Sequence, residues 1–334
     1  MNIENPHASS LEVREKHFLV AATRRLPSAC EERLIAKYFL RKGDDNATYS
    51  SSIFKAHAEG ASALIVTPAE RLDANTINSL PQTVKIIATF SVGHEHIDLD
   101  AASARGLIIT NTPGVLTAAT ADLTLLLILA AARRAREGQK LIHSGNWSGI
   151  RPTQLLGTQV KGKRLGIIGM GRIGRAVANR SRSFGMKVYY HNRQPINSND
   201  NAEAIYVPSL NDLISQSEIL SLHCPLTPET KNILNAQRIA NLPEGAIVVN
   251  TARGPLIDDN ALIEALLSRK IASAGLDVYA SEPNIDKRYL TMENVFLLPH
   301  LGSATKDTRA AMGMLAIDSI EAVLNGHEPP HQIL

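Results

Sequence analysis

Cysteine is scarce: the 334 residues hold two, Cys30 and Cys224, far apart in the chain. No disulfide framework can be built from them, and a reducing compartment is expected. Long hydrophobic runs are also missing. The longest, Leu125–Ala132, falls far short of the ~20 residues that span a bilayer, so no membrane partner is expected. An excess of charge of either sign is nearly absent too. Against 35 Lys and Arg stand 32 Asp and Glu, and the net charge of +3 is too small to suggest nucleic acid as a partner. No targeting segment is visible. The start, MNIENPHASSLEVREK, is polar and expected to fray, and Arg24-Arg25 is followed by LPSACEER rather than by the apolar run of a twin-arginine signal. A cytoplasmic location is the resulting expectation. Internal repeats and low-complexity segments are absent.

What is present describes a globular protein: 44% hydrophobic and 20% charged residues, in a length that suits two domains. From His17 the pattern alternates strand and helix. HFLVAA, Ala63–Val66, VKIIATF and LIITNT read as strands, with helices over Pro27–Phe39 and Ala74–Leu80. Strands separated by helices imply parallel pairing with right-handed crossovers, hence a small doubly wound domain. A helix beginning near Thr117 is apolar all round in TLLLILAAA and must be covered on most sides. A subunit interface is favoured slightly over an intramolecular core. A second alternating series follows, with strands at Leu165–Ile168, Lys187–His191, Ala204–Val207, Glu218–Leu222, Ala246–Asn250, Ser273–Asp277 and Asn294–Leu298. A helix spans Asp258–Ser268, and another runs from beyond Gly302 to about Leu324.

The second series opens on Gly169-Met170-Gly171-Arg172-Ile173-Gly174. In a G-x-G-x-x-G turn between strand and helix, the first glycine makes the tight turn and the second lets backbone approach a pyrophosphate. The third lets helix pack on strand, and the helix amino terminus offers N–H groups to the phosphates. An NAD site would place a carboxylate at the end of the next strand for the ribose 2′-OH. Here Asn192 and Arg193 stand there, a pair suited to a 2′-phosphate, so NADP is expected over NAD. The bland reading is a solvated arginine at a strand end. Arg172, Arg175, Arg180, Arg182 and Arg193 form a basic cluster beside the turn, in keeping with an anionic cofactor, although several suit a solvated helix face.

Three further residues follow strands of the same series: Arg253 in VVNTARGPLID, Glu282 in GLDVYASEP and His300 in FLLPHLGSAT. Ligands of open parallel sheets sit at the carboxyl ends of the strands, which draws these positions towards the cofactor. Singly, each has a plain structural role: a surface charge, a turn former, a packed ring. Together they suit reduction of a 2-oxo acid. A histidine protonates the oxygen, a carboxylate on its other nitrogen fixes the ring, and a guanidinium grips the substrate carboxylate.

GMGRIG, HCPLTPET from His223, NTARGPLID, GLDVYASEP and PHLGSAT occur in the order and spacing of the D-isomer-specific 2-hydroxyacid dehydrogenases, and the chain resembles that family from about Val20 onward, most closely its glyoxylate/hydroxypyruvate reductase branch. The resemblance implies two doubly wound α/β domains. A Rossmann cofactor domain over 115–303 would be inserted into a smaller flavodoxin-like substrate domain formed by 1–114 and 304–334. It also implies a homodimer, with His300 as acid/base, Glu282 supporting it and Arg253 binding substrate. Val92 and Gly93, in TFSVGHEHID, match the loop whose N–H groups hold the substrate carboxylate. Thr120, Pro225, Thr251 and Asp277 match cofactor-contacting positions, and in similar reductases a tryptophan like Trp147 reaches the neighbouring active site. Other enzymes of the family act on D-lactate, phosphoglycerate or hydroxyphenylpyruvate, and non-catalytic corepressors share its fold. The short stretch after the last helix argues against a phosphoglycerate-type regulatory domain.

His94-Glu95-His96 lacks the H-E-x-x-H spacing of a zinc pair, so no metal is expected. Cys224 is expected to pack rather than react, and Ser303 to cap a helix.

Overall fold

Short runs of Ile, Val, Leu and Ala, too short for helices and flanked by polar turns, form the strands of two parallel sheets. The computed structural model describes residues 17–197 and 203–334. The polar start expected to fray lies outside the described residues. The chain divides at Pro113/Gly114 and Arg309/Ala310 into two compact units.

In the smaller unit, strands β1 (Leu19–Ala22), β2 (Phe39–Arg41), β3 (Ala63–Val66), β4 (Ile86–Thr89) and β5 (Ile108–Thr110) pair in the order β2-β1-β3-β4-β5, all parallel. This is the flavodoxin-like doubly wound order, with its switch point between β1 and β3. β3 and β4 are buried along their whole length, as strands covered on both faces must be. Phe54, Ile77 and Ala102 pack on one face, and Leu34, Ile317 and Ile320 on the other. Neither β2, whose three residues, FLR, carry no period, nor the helix Ser51–Ala58 is among the elements expected from the sequence. At the β5 edge, the tail lies antiparallel. Ile333 N–H donates to Ile109 O at 2.8 Å, and Ile109 N–H to Leu334 O at 3.1 Å.

The larger unit holds β6 (Arg164–Ile168), β7 (Lys187–His191), β8 (Ile205–Tyr206), β9 (Ile219–Leu222), β10 (Ala246–Asn250), β11 (Ile271–Leu276) and β12 (Val295–Leu297). They pair in the order β12-β11-β10-β9-β6-β7-β8. Counted from β6, this is the 3-2-1-4-5-6 order of a dinucleotide-binding sheet with one further strand, and the order reverses between β6 and β9.

The helix Thr117–Ala132 corrects an expectation. Thr124, Leu127 and Ile128 are fully buried within the larger unit, so its own core, rather than a subunit interface, covers most of it. Leu127 sits so close to β11 that a Cβ at Gly275 would stand 2.9 Å from the Leu127 Cβ. Of its leucines only Leu126 is largely exposed, at 49%. Among the described residues, no helix is long and apolar enough to cross a membrane.

Candidate active site

The three glycines after β6 do different things. Gly169 turns with φ +98°, and a Cβ there would lie 2.5 Å from Cys224 N, so any other residue is excluded. At Gly174 a Cβ would stand 2.2 Å from Gly169 O, which is how closely the helix Arg172–Ser183 packs on the turn. Gly171 faces nothing within 4 Å. Open space at a helix amino terminus, where Gly171 has no side chain to cap the first N–H groups, fits a pyrophosphate. Ile173 is half-buried and Arg172 exposed at that terminus.

Asn192, at the end of β7, accepts a hydrogen bond from Met170 N–H at 2.7 Å through Oδ1 and so ties the strand end to the turn. Nothing in the sequence signals this bond. Arg193 is exposed beside the 225–231 loop. There the Thr227 hydroxyl and, with less weight, the Arg193 charge hold Glu229 below the usual carboxylate range. The basic cluster is thinner than the sequence suggested, because Arg180 is paired with Asp122 and Arg182 with Glu203. Pro225 is exposed, and its carbonyl accepts from Thr230 Oγ1 at 2.7 Å. Thr251 is buried, its hydroxyl 2.9 Å from that of Thr124.

Arg253, Glu282 and His300 lie beyond the carboxyl ends of β10, β11 and β12. Buried Asn250 staples the first loop: its amide donates to Arg253 O at 2.8 Å and its carbonyl accepts from Ala252 N–H at 3.0 Å. A Cβ at Gly254 would be 1.8 Å from the Tyr279 carbonyl carbon, so the loops carrying Arg253 and Glu282 run backbone to backbone. The Arg253 guanidinium donates to Ala252 O at 2.7 Å.

His300 takes a left-handed conformation, φ +54°, which costs a non-glycine residue about 1–3 kcal/mol and persists only when its surroundings impose it. Asp277 supplies most of that constraint. Its carbonyl accepts from His300 N–H at 2.9 Å, and its carboxylate accepts from Leu301 and Gly302 N–H at 2.6 and 2.8 Å. Thr120 Oγ1 donates to Gly302 O at 3.1 Å. Burial pushes the Asp277 carboxyl up to about 6, against the pull of those amides and of His300.

His300 Nδ1 is 2.7 Å from Glu282 Oε2, with the two side chains 41% and 33% exposed. Glu282 Oε1 accepts from Tyr279 N–H at 2.9 Å. Burial pushes the Glu282 carboxyl up. The His300 bond and charge, the Tyr279 amide and the Arg253 charge together outweigh it and hold the group below its ordinary range. An ionised carboxylate can only accept, so Nδ1 carries the hydrogen and Nε2 is the nitrogen left to exchange a proton with a ligand.

In the smaller unit, the half-buried Val92-Gly93 turn follows β4. Trp147, in the larger unit, is 50% exposed. Cys224 is buried, which drives its thiol up to about 11, far from a nucleophile. Ser303 is not the helix cap it was expected to be. Thr305 Oγ1 accepts from Thr308 N–H at 3.1 Å instead, one residue before the helix Lys306–Leu324 begins. Among the described residues, no three His, Cys, Asp or Glu side chains are grouped to hold a metal ion.

Residues 125–302 match the family model of the D-isomer specific 2-hydroxyacid dehydrogenase NAD binding domain. The glycerate dehydrogenase of Hyphomicrobium methylovorum is 41% identical over 304 residues, 90% of this chain and 94% of the relative. The glyoxylate reductase of Thermococcus litoralis is 37% identical over 319 residues, 94% and 96% of the two chains. The NADPH-dependent glyoxylate/hydroxypyruvate reductase of Sinorhizobium meliloti, solved with NADP and malonate, superposes with a TM-score of 0.84 at 30% identity, covering 94% of this chain and 96% of that one. With the sheet order, the glycine turn and these likenesses over nearly the full length, the chain belongs to the D-isomer specific 2-hydroxyacid dehydrogenase family.

Proposed function

We propose that the protein reduces small 2-oxo acids, glyoxylate and hydroxypyruvate among them, to 2-hydroxy acids with NADPH. The observation that carries this reading is the Glu282–His300 pair at 2.7 Å, with Arg253 close enough to act on the Glu282 charge. Gly169, Gly171, Arg172, Ile173 and Gly174 receive the pyrophosphate, and Asn192 and Arg193 the 2′-phosphate. Thr120, Pro225, Thr251 and Asp277 complete the cofactor-contacting set, and NAD is accepted less well. When bound, the reduced nicotinamide supplies a hydride to the 2-oxo carbon. In the larger unit Arg253 serves as the substrate-binding cation that polarises a 2-oxo carbonyl, and in the smaller unit the Val92 and Gly93 amides offer donors to the carboxylate of a 2-oxo acid. His300 gives its Nε2 proton to the carbonyl oxygen, and the Glu282 carboxylate on Nδ1 fixes the ring for that transfer. In this reading residues 115–303 are the dinucleotide-binding domain, which also carries Arg253, Glu282 and His300, and 1–114 with 304–334 form the substrate domain.

The half-exposed Trp147 fits a homodimer in which it reaches the partner's site; light scattering at the 36.2 kDa of one chain would remove that part. The two buried, unpaired cysteines accord with a reducing cytoplasm. A panel of 2-oxo acids assayed with NADPH and NADH tests the whole. The highest kcat/KM is expected for glyoxylate or hydroxypyruvate with NADPH. Turnover confined to bulky aromatic acids would overturn the substrate, and no turnover at all would favour a nucleotide-binding regulator.

A further inference from the structure

We infer that Ser91 and Asn111 are positioning residues that hold the Val92-Gly93 turn open for a carboxylate, with Thr89 and His96 fixing the Ser91 hydroxyl; this rests on the proposed role of that turn in binding 2-oxo acids. Three successive carbonyls of the turn are tied back. Ser91 O accepts from Thr112 N–H at 2.9 Å, Val92 O from the Asn111 side-chain amide at 2.7 Å, and Gly93 O from the Ser91 hydroxyl at 2.6 Å. In a trans peptide the N–H points opposite to its own carbonyl. Tying the carbonyls therefore leaves the Val92, Gly93 and His94 N–H groups directed away from those partners, and none of the three has an acceptor among the described residues. Successive free backbone N–H groups form an anion-binding concavity.

The direction of the supporting chain follows by elimination. A hydroxyl has one hydrogen. Ser91 spends its own on Gly93 O, so the 2.8 Å contact with Thr89 Oγ1 must be donated by Thr89. Thr89 then has none left for His96 Nε2 at 3.0 Å, so His96 donates there. The relay runs from His96 through Thr89 and Ser91 to the Gly93 carbonyl. Thr89 and Ser91 are buried, which shields it from water.

Ser91→Ala and the near-isosteric Asn111→Asp each remove one tie. Thr110→Val is the control, because the buried Thr110 hydroxyl has no partner. The measurements are the steady-state constants for glyoxylate and NADPH, calorimetric Kd values for oxalate and NADPH, and melting temperature. Each tie lost should raise the glyoxylate KM and the oxalate Kd roughly tenfold, the scale of one charge-assisted hydrogen bond. kcat, the NADPH constants and the Thr110→Val variant should stay within about twofold. Unchanged KM and oxalate affinity in folded variants would overturn the inference. So would losses of NADPH affinity and melting temperature in step with them, which mark a role in holding the fold. If wild type reduces no 2-oxo acid but Ser91→Ala still weakens oxalate, the positioning role stands and the reductase reading falls. Turnover of glyoxylate with an unmoved KM in both variants sinks the positioning role alone.

Discussion

Glu282 serves its loop and its histidine through different oxygens, Oε1 taking the Tyr279 amide and Oε2 the His300 ring. Glu282→Gln keeps the size but replaces the ionised acceptor that holds the hydrogen on Nδ1 with an amide that can turn its NH2 towards the ring. Under the proposed mechanism the reductive kcat should fall about ten- to a hundredfold while the melting temperature stays in place. A wild-type kcat in the variant would count against the pairing. Asn192 offers a second residue-level test. Because Oδ1 already anchors Met170 N–H, Asn192→Asp can keep that bond and leave the turn intact. The new charge would repel a 2′-phosphate and accept from a ribose 2′-OH, so the ratio of kcat/KM for NADPH over NADH should invert. Parallel assays with the two cofactors decide it, and an unchanged ratio sinks the assignment.

The glycine turn separates a packing role from a binding role within one element. At Gly174 the obstacle is backbone, 2.2 Å away, so Gly174→Ala should cost about 1–3 kcal/mol, read as a lower melting temperature. Gly171→Ala meets nothing in the folded chain and should melt like wild type while binding NADPH at least tenfold more weakly. Equal melting losses for both would refute the division. The motif was legible because its spacing encodes these contacts, and strand-end residues such as Arg253 and His300 were legible because a parallel sheet gathers its carboxyl ends. The bonds made by Asn250 and Thr120 were not. Each acts on a neighbour that sequence cannot supply: Asn250 on a loop closed around its own side chain, Thr120 on a carbonyl beyond the far strand β12. The apolar helix Thr117–Ala132 shows the same limit. Its pattern demanded a cover without saying whether a sheet or a second chain provides it.

Across the whole molecule the same βαβ logic is used twice, and each sheet solves its order differently. The smaller sheet was the harder to read, since β2 is three residues, none of them buried, and the tail adds no periodic signal. That tail, NGHEPPHQIL, has a consequence for solubility. Without the backbone bonds of His331–Leu334, the β5 edge would present a row of unmet N–H and C=O groups to any other copy of the chain. Removing Gln332–Leu334 should therefore leave dinucleotide binding by the larger unit in place and turn the protein into one that associates beyond its wild-type state as concentration rises. Light scattering across a dilution series would detect this, and a truncated chain that stays monodisperse would show that the edge is guarded by something else.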